Sequence, residues 1–296
     1  MAWPSGKAEA CKASIPSSNL GATFFIPFKP MLYLISTPIG NLKDISFRAI
    51  HTLKSCHYIL CEDTRHSQKL LHHYEIKQKL ISHHQFNEAS REDQIIKDLK
   101  EGLEIGIISD AGTPGISDPG IRLVKRCKQE NIPVVSIPGA CAAICAITCS
   151  GLDTDKFQYL GFLPKKESEL HRTLIGTLQY TGTSICYESP KRLKNVLRKI
   201  AELDPNREIV IARELTKKFE EVRLGLAKDL TDIPEPKGEI VLLISPNKED
   251  NPWKALSPEE HVTWLEETYK LSKKDAIKMT AEMRGVPKRD IYNKYI

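Results

Sequence analysis

The 296-residue chain carries 43 Lys and Arg against 38 Asp and Glu, a formal net charge of +5, with 41% hydrophobic and 27% charged residues. These proportions exclude the weakly hydrophobic, highly charged class that stays unfolded, and the length suits about two domains of roughly 100–200 residues each. No window approaches the roughly 18 consecutive apolar residues of a membrane-spanning helix, so no membrane is expected among the partners. The charge is uneven: residues 1–30 sum to +2, residues 270–296 to +5 through eight basic and three acidic side chains, and 31–269 therefore to −2. A surface for a polyanion is expected at the C-terminus, or gathered by folding elsewhere.

Residues 1–30 contain four prolines, no 2- or 3.6-residue periodicity and no signal-peptide pattern, and read as a disordered or spurious extension ahead of Met31. From Met31 the chain alternates apolar strands with amphipathic helices. Strands are expected at 31–36, 57–61, 105–109 and 133–137, with helices near 46–54, 65–74, 90–102, 118–131 and 139–150. This alternation predicts a mostly parallel sheet covered by helices, an α/β domain over 31–150. After the interruption at Gly151–Lys156, strands at 157–161, 184–187, 208–212, 220–225 and 239–245 lie closer together, with helices at 167–179 and 190–204, which predicts a second, mixed-sheet α/β domain over 151–247. A polar linker at Asn247–Trp253 leads to a helical unit at 254–296. There Ser257-Pro258-Glu259-Glu260 is a capping box, Ser272 caps a second helix that Gly285 ends, and Pro287 opens a third, a helix-turn-helix pattern.

Three Gly/Pro loops follow predicted strands: Ser36–Leu42, Ser109–Gly120 and Ile137–Ala140. Ligands of open α/β sheets bind beyond the carboxyl ends of strands, so three such loops on one edge predict a cleft, with Asp110 able to grip an amine or ribose hydroxyls. Each loop is also readable as a tight turn. No GxGxxG and no GxxxxGK[ST] occurs, which sets aside pyridine-dinucleotide and P-loop chemistry.

The cluster Cys61-Glu62-Asp63-Thr64-Arg65-His66-Ser67, at a strand-to-helix junction, reads equally as catalytic or as a helix cap built on Asp63 or Thr64. Tyr187-Glu188-Ser189-Pro190-Lys191-Arg192 and Ala212-Arg213-Glu214-Leu215-Thr216-Lys217 close strands of the second domain with mixed charge. If both domains face one cleft, Arg65, Arg192 and Arg213 are placed to meet a phosphate backbone. His66, His72, His73, His83 and His84 lack metal-site spacing, so no metal is expected; His83 and His84 also read as polar groups of a substrate loop. Cys141, Cys145 and Cys149 recur every four residues and read either as a redox or metal ladder or as small buried hydrophobes. With no CxxC pair among eight cysteines, a reducing cytoplasm is expected.

Taken together, TPIGNL, EDTRHS, NEASR, SDAGTPGISDPG, IPGACAA, GFLPKK, YESPKRL, ARELTK and KGE, in unbroken order from Met31 to about Pro246, resemble the ribosomal RNA small subunit methyltransferase I family of tetrapyrrole-methylase-like S-adenosylmethionine enzymes. The C-terminal helices are similar to an appendage of many members, and Cys141 stands where a serine-like residue is expected. The resemblance implies a two-domain tetrapyrrole-methylase-like fold and a homodimer. It also implies methyl transfer from S-adenosylmethionine to the 2′-hydroxyl of a cytidine in the decoding region of small-subunit (16S) rRNA, free or in the 30S subunit. It further implies cofactor contacts at Pro38, at Asp110, Ala111, Gly112, Thr113, Pro114, Gly115 and Ile116, at Pro138, Gly139, Ala140, Cys141 and Ala142, and at Tyr187, Ala212, Arg213, Gly238 and Glu239.

A ribose hydroxyl is a weak acid, so a positioned base is expected to matter in such a transfer. Asp63 or Glu62 is the expected base, Glu188 the second candidate, and Arg65 and Arg213 the orienting cations. Two competing functions carry different signatures: a corrinoid or porphyrin methylase would want an apolar trough, and a helix-turn-helix regulator with a ligand-sensing α/β part would want base-reading side chains where Lys288, Arg289 and Asp290 stand.

Overall fold

The computed structural model describes residues 31–248 and 252–295. The expectation for residues 1–30 lies outside these, as does part of the 247–253 linker. The first half winds through β1 (Met31–Ile35), α1 (Phe47–Ser55), β2 (Tyr58–Cys61), α2 (Thr64–His73), β3 (Lys79–Ser82), α3 (Glu88–Lys100), β4 (Glu104–Ile107), α4 (Ile121–Gln129), β5 (Val134–Ile137) and α5 (Ala142–Ser150). The strands form one sheet in the order β3-β2-β4-β1-β5, every pair parallel. Both faces are covered. Leu32, Leu60, Ile105 and Ile107 pack against Ile95, Leu99 and Leu123 of α3 and α4, while Ile35, Ile59 and Cys61 pack against Ala49, Leu53 and Leu71 of α1 and α2. Alternate residues of one strand thus feed opposite cores, which explains the near-continuous apolar runs.

Strand β3 is absent from the sequence reading. Its four residues, Lys-Leu-Ile-Ser, sit at the sheet edge with Lys79 exposed and none fully buried, so they carry no apolar run to signal a strand.

The second half contains β6 (Phe157–Phe162), α6 (Glu167–Leu178), β7 (Thr183–Glu188), α7 (Pro190–Leu203), β8 (Glu208–Arg213), β9 (Glu221–Leu226) and β10 (Ile240–Ile244). Their order is β6-β7-β10-β8-β9, with β6 parallel to β7 and the remaining pairs antiparallel, a mixed sheet as expected. One face, with Cys186, Ile209, Ile211 and Leu242, packs on α6 and α7. The other, with Ile185, Val210, Val241 and Leu243, packs on Ala143, Ala146 and Ile147 of α5. Helix α5 leaves the first sheet and lies on the second.

The C-terminal unit comprises α8 (Pro258–Tyr269), α9 (Lys273–Arg284) and α10 (Lys288–Tyr292). The Ser257–Glu260 capping box forms in both directions, and Ser272 accepts a bond from the Asp275 amide. Ile175 of α6 joins Val262, Leu265 and Ile277 in a shared core. An Arg172–Asp275 ion pair at 2.7 Å and a Gln179 Nε2 to Tyr269 hydroxyl bond at 2.8 Å fasten the unit to α6. None of the described helices is long and apolar enough to cross a membrane.

Candidate active site

The three Gly/Pro loops meet at the carboxyl edge of the first sheet and are bonded to one another. Thr37 and Gly112 exchange backbone hydrogen bonds at 2.8 and 3.1 Å, and the Thr37 hydroxyl donates to Ser109 O at 3.2 Å. Thr113 Oγ1 donates to Ala140 O at 3.1 Å and lies 3.1 Å from Ser36 Oγ. Gly112 holds φ at +81°, a left-handed conformation that side chains disfavour, and a Cβ there would stand 3.2 Å from Ile39 Cγ2.

Two hydrogen bonds and the packing of Ile39 join these loops to the second half. Ser117 Oγ lies 2.7 Å from the Tyr159 hydroxyl on β6. The Asn41 amide donates to Thr216 Oγ1 at 3.1 Å in the loop after β8. That loop is held by Lys217, whose ammonium donates to Glu214 at 2.9 Å and Glu239 at 3.0 Å, with Glu214 (φ 51°) and Thr216 (φ 67°) both left-handed. Gly238 (φ +95°) passes against the Glu214 side chain, where a Cβ would collide with the carboxylate.

Between the sheets lies a cleft of about 370 Å³, within the range of small-molecule sites. Of the residues expected to hold a cofactor, Ala111, Gly112, Thr113, Ile116, Cys141, Ala142, Tyr187, Ala212, Gly238 and Glu239 line it. Pro38, Asp110, Pro114, Gly115, Pro138, Gly139, Ala140 and Arg213 do not; apart from Arg213 they belong to the loops that shape its wall. Arg213 instead makes a two-pronged bond to Glu221 at 2.9 and 3.2 Å and donates to Lys237 O at 3.3 Å.

The expected catalytic carboxylates separate into distinct environments. Asp63 is the N-cap of α2: it accepts the Arg65 amide at 2.8 Å and pairs with its guanidinium at 2.9 and 3.2 Å. Those bonds hold the Asp63 carboxyl well below its usual range. Neither residue lines the cleft. Glu62 also lies outside the lining, with its carboxyl raised by burial and by the neighbouring Asp110. Glu188 does line it and is 3% exposed; its Oε1 accepts the Ser189 amide at 2.7 Å and Oε2 lies 3.5 Å from Arg192. Arg192 also donates to the carbonyls of Leu163 and Pro164 at 3.0 and 2.7 Å. Of the three arginines expected to meet a phosphate backbone, Arg192 and Arg213 are largely enclosed and bonded to acceptors of the chain itself, whereas the Arg65 side chain is 89% exposed beside its partner Asp63.

Sequence reasoning missed Asp118. It lines the cleft, and burial first, then Glu62 and Asp110, push its carboxyl up to about 6. The signal was present: Ser117-Asp118-Pro119-Gly120 repeats the S-D-x-G of Ser109–Gly112 eight residues earlier. Of the three carboxylates in the cleft wall, Glu188 faces Arg192 and Glu239 faces Lys217, whereas Asp118 has no cationic partner among the described residues.

His83 is 2% exposed with both ring nitrogens lacking a partner, and burial lowers its basicity, so it is a core group rather than part of a substrate loop. His84 accepts the Phe86 amide at 3.3 Å in the turn before α3. Among the described residues no group of three His, Cys, Asp or Glu is placed to hold a metal ion. Cys141 borders the cleft and Cys145 packs on the second sheet, but Cys149 is exposed, so the buried-hydrophobe reading of the three fails at the last.

Residues 31–231 match the family of Tetrapyrrole (Corrin/Porphyrin) Methylases. A protein named ribosomal RNA small subunit methyltransferase I from Halalkalibacterium halodurans is 45% identical, covering 90% of this chain and 95% of its own. One of the same name from Bacillus subtilis is 41% identical, with 90% and 94% covered. The chain belongs to the ribosomal RNA small subunit methyltransferase I family. The uroporphyrin-III-C-methyltransferase of Thermus thermophilus superposes with a TM-score of 0.54 at 17% identity, covering 73% of this chain and 94% of that one, and so shares the fold. At 17% identity that solved structure shows the fold alone, whereas likeness to the rRNA family spans nearly the whole sequence. Methylases of this class take S-adenosylmethionine as methyl donor. The cleft suits that molecule chemically: apolar walls from Ile39, Ile116, Leu215 and Val241 offer a face to an adenine, and three carboxylates offer charge to a sulfonium and an ammonium.

Proposed function

We propose that this chain methylates the ribose 2′-hydroxyl of a cytidine in the decoding region of small-subunit rRNA, acting in the cytoplasm as a homodimer on the 30S subunit or its RNA. In this reading residues 31–150 and 151–247 together hold the donor in the cleft, and residues 254–296 contribute to RNA contact. The observation that carries it is the bonded three-loop edge closing on the second sheet, in a chain whose relatives over nine-tenths of its length are named for rRNA methylation.

Bound there, S-adenosylmethionine supplies an electrophilic methyl carbon. Thr113, Gly112 and the start of α5 fix its position, and preorganised placement of this kind is worth several kcal/mol of barrier. Asp118 takes the proton of the acceptor hydroxyl; unlike Asp63, Glu188 and Glu239 it is not held by a cation, and its neighbours Glu62 and Asp110 raise its basicity toward neutrality. Asp63 and Arg65 serve as a helix cap, and Glu188, oriented by Arg192, faces the donor's positive charge.

Mapping of 2′-O-methylation in small-subunit rRNA incubated with and without the protein and donor tests the reading. A single protein-dependent methylated ribose is expected. Calorimetric binding of donor with every rRNA ribose left unmodified would overturn the acceptor assignment.

A further inference from the structure

The C-terminal unit carries eight basic side chains in its last 27 residues; Lys270 and Arg289 are exposed apart from the groove described below, and the other six fall into two groups. Lys278 pairs with Glu282 at 3.6 Å and Lys294 with Glu259 at 3.3 Å. Arg284 is turned inward, bonded to His261 Nδ1 at 3.1 Å and to the carbonyls of Trp253, Leu256 and Ser257. By contrast Lys273, Lys274 and Lys288 are exposed and pair with no carboxylate among the described residues. These three meet in one place. With Ile277, Tyr292 and Tyr295 they line a groove of about 270 Å³ between the first turn of α9 and α10.

Two aromatic rings share that groove with the three amines. Tyr292 is 50% exposed, and the Lys273 ammonium lies 4.6 Å from the centroid of Tyr295, whose hydroxyl is tied to Glu259 O at 2.8 Å. Amines alone would attract any anion. Amines beside the half-exposed ring of Tyr292 match single-stranded nucleic acid, whose phosphates take the charge while a base stacks on the ring. An anionic membrane fits less well, because the groove's aliphatic floor, Ile277, is 3% exposed and leaves no apolar surface to insert.

We infer that the groove formed by Lys273, Lys274, Lys288 and Tyr292 is a second RNA-binding site, which grips a single-stranded segment away from the ribose that is methylated. The inference rests on the rRNA reading for its substrate class. The groove belongs to a unit docked on α6, on the face of the second sheet opposite α5, whereas the cleft opens beside the start of α5. It therefore raises affinity by engaging the same strand at two points, without taking part in the chemistry.

Fluorescence anisotropy of a labelled oligouridylate, titrated across a range of KCl concentrations, tests this independently of methylation. The unmodified protein is expected to bind. The triple variant Lys273→Ala, Lys274→Ala, Lys288→Ala is expected to bind at least about tenfold more weakly at low salt, its log–log salt slope reduced by about 2, as for three lost single-strand phosphate contacts. Tyr292→Ala is expected to weaken binding about tenfold with the slope unchanged, the effect of one lost stacking contact. Both variants should retain calorimetric affinity for S-adenosylmethionine, which certifies that the remainder is folded. Parent-like binding by the triple variant, parent-like binding by Tyr292→Ala, or no binding by the unmodified protein would each overturn the groove. A groove that passes while no rRNA ribose is methylated would instead remove the proposed activity and leave the site standing.

Discussion

Thr37 and Gly112 lie 75 residues apart in sequence, yet each accepts the other's backbone N–H, at 2.8 and 3.1 Å, in an antiparallel bridge outside any strand. The bridge ties the loop after β1 to the loop after β4 and sets the backbone of the cleft wall at Gly112. Gly112→Ala places a Cβ at φ +81° and 3.2 Å from Ile39 Cγ2, a conformation costing about 1–2 kcal/mol before any clash is relieved. The expected result is calorimetric affinity for S-adenosylmethionine reduced about tenfold or more.

Asp118 gives a prediction with a defined pH signature. A base must be unprotonated, so with its carboxyl at about 6, kcat/KM should rise with pH and level off above that value. Asp118→Asn should lower kcat by about 10²–10⁴-fold, leave donor affinity within a few-fold, and remove the rising limb. The stability sign is the reverse. A carboxyl raised above its unfolded value disfavours the native state once ionised, so Asp118→Asn should raise the melting temperature above about pH 7 and do little near pH 4. A variant with parent-like activity at neutral pH would return the base to Glu62 or Glu188.

Asp63 and Glu188 separate a cap from a cleft residue. Asp63→Ala removes the acceptor for the Arg65 amide, and is expected to lower thermal stability while activity on rRNA stays within about threefold of the parent. Glu188→Gln keeps the shape but deletes the charge opposite Arg192, and is expected to weaken donor binding. Mass spectrometry of methylated rRNA, alongside thermal melts, distinguishes the two outcomes.

His261 makes the C-terminal unit sensitive to acid. It is fully buried, stacked on Trp253 with centroids 5.0 Å apart, and bonded to Arg284; burial, then that guanidinium, lowers its pKa to about 4. The native state keeps the ring neutral while the unfolded chain protonates it, so its contribution is intact above about pH 6.5 and is lost progressively as pH falls toward 4. Tryptophan fluorescence followed through acid titration should report loss of the Trp253 environment across that interval, and His261→Phe should weaken the dependence.

Much of the architecture is legible because the chain is locally consistent. Double-sided strands such as Leu32–Ile35 and Tyr58–Cys61 announce a covered parallel sheet, and Ser257-Pro258-Glu259-Glu260 announces a helix start. What escaped prediction depends on tertiary context. Lys79–Ser82 forms a strand only because β2 offers it an edge. Arg213 carries the same charge whether it faces a phosphate or Glu221, and only the β8–β9 register, which sets it opposite Glu221, decides. Asp118 was hidden behind the more conspicuous Asp110, since burial and neighbouring charge, not residue type, distinguish them. The capping reading of Asp63 was open in the sequence, and its two-pronged contact with Arg65 could be seen only in three dimensions.

Helix α5 starts at the cleft wall with Cys141 and Ala142 and then lays Ala143, Ala146 and Ile147 across the second sheet. Ile39, from the loop after β1, is buried in the same cluster, so separating the two sheets would expose apolar surface worth several kcal/mol. The two sheets should therefore melt together in one calorimetric transition.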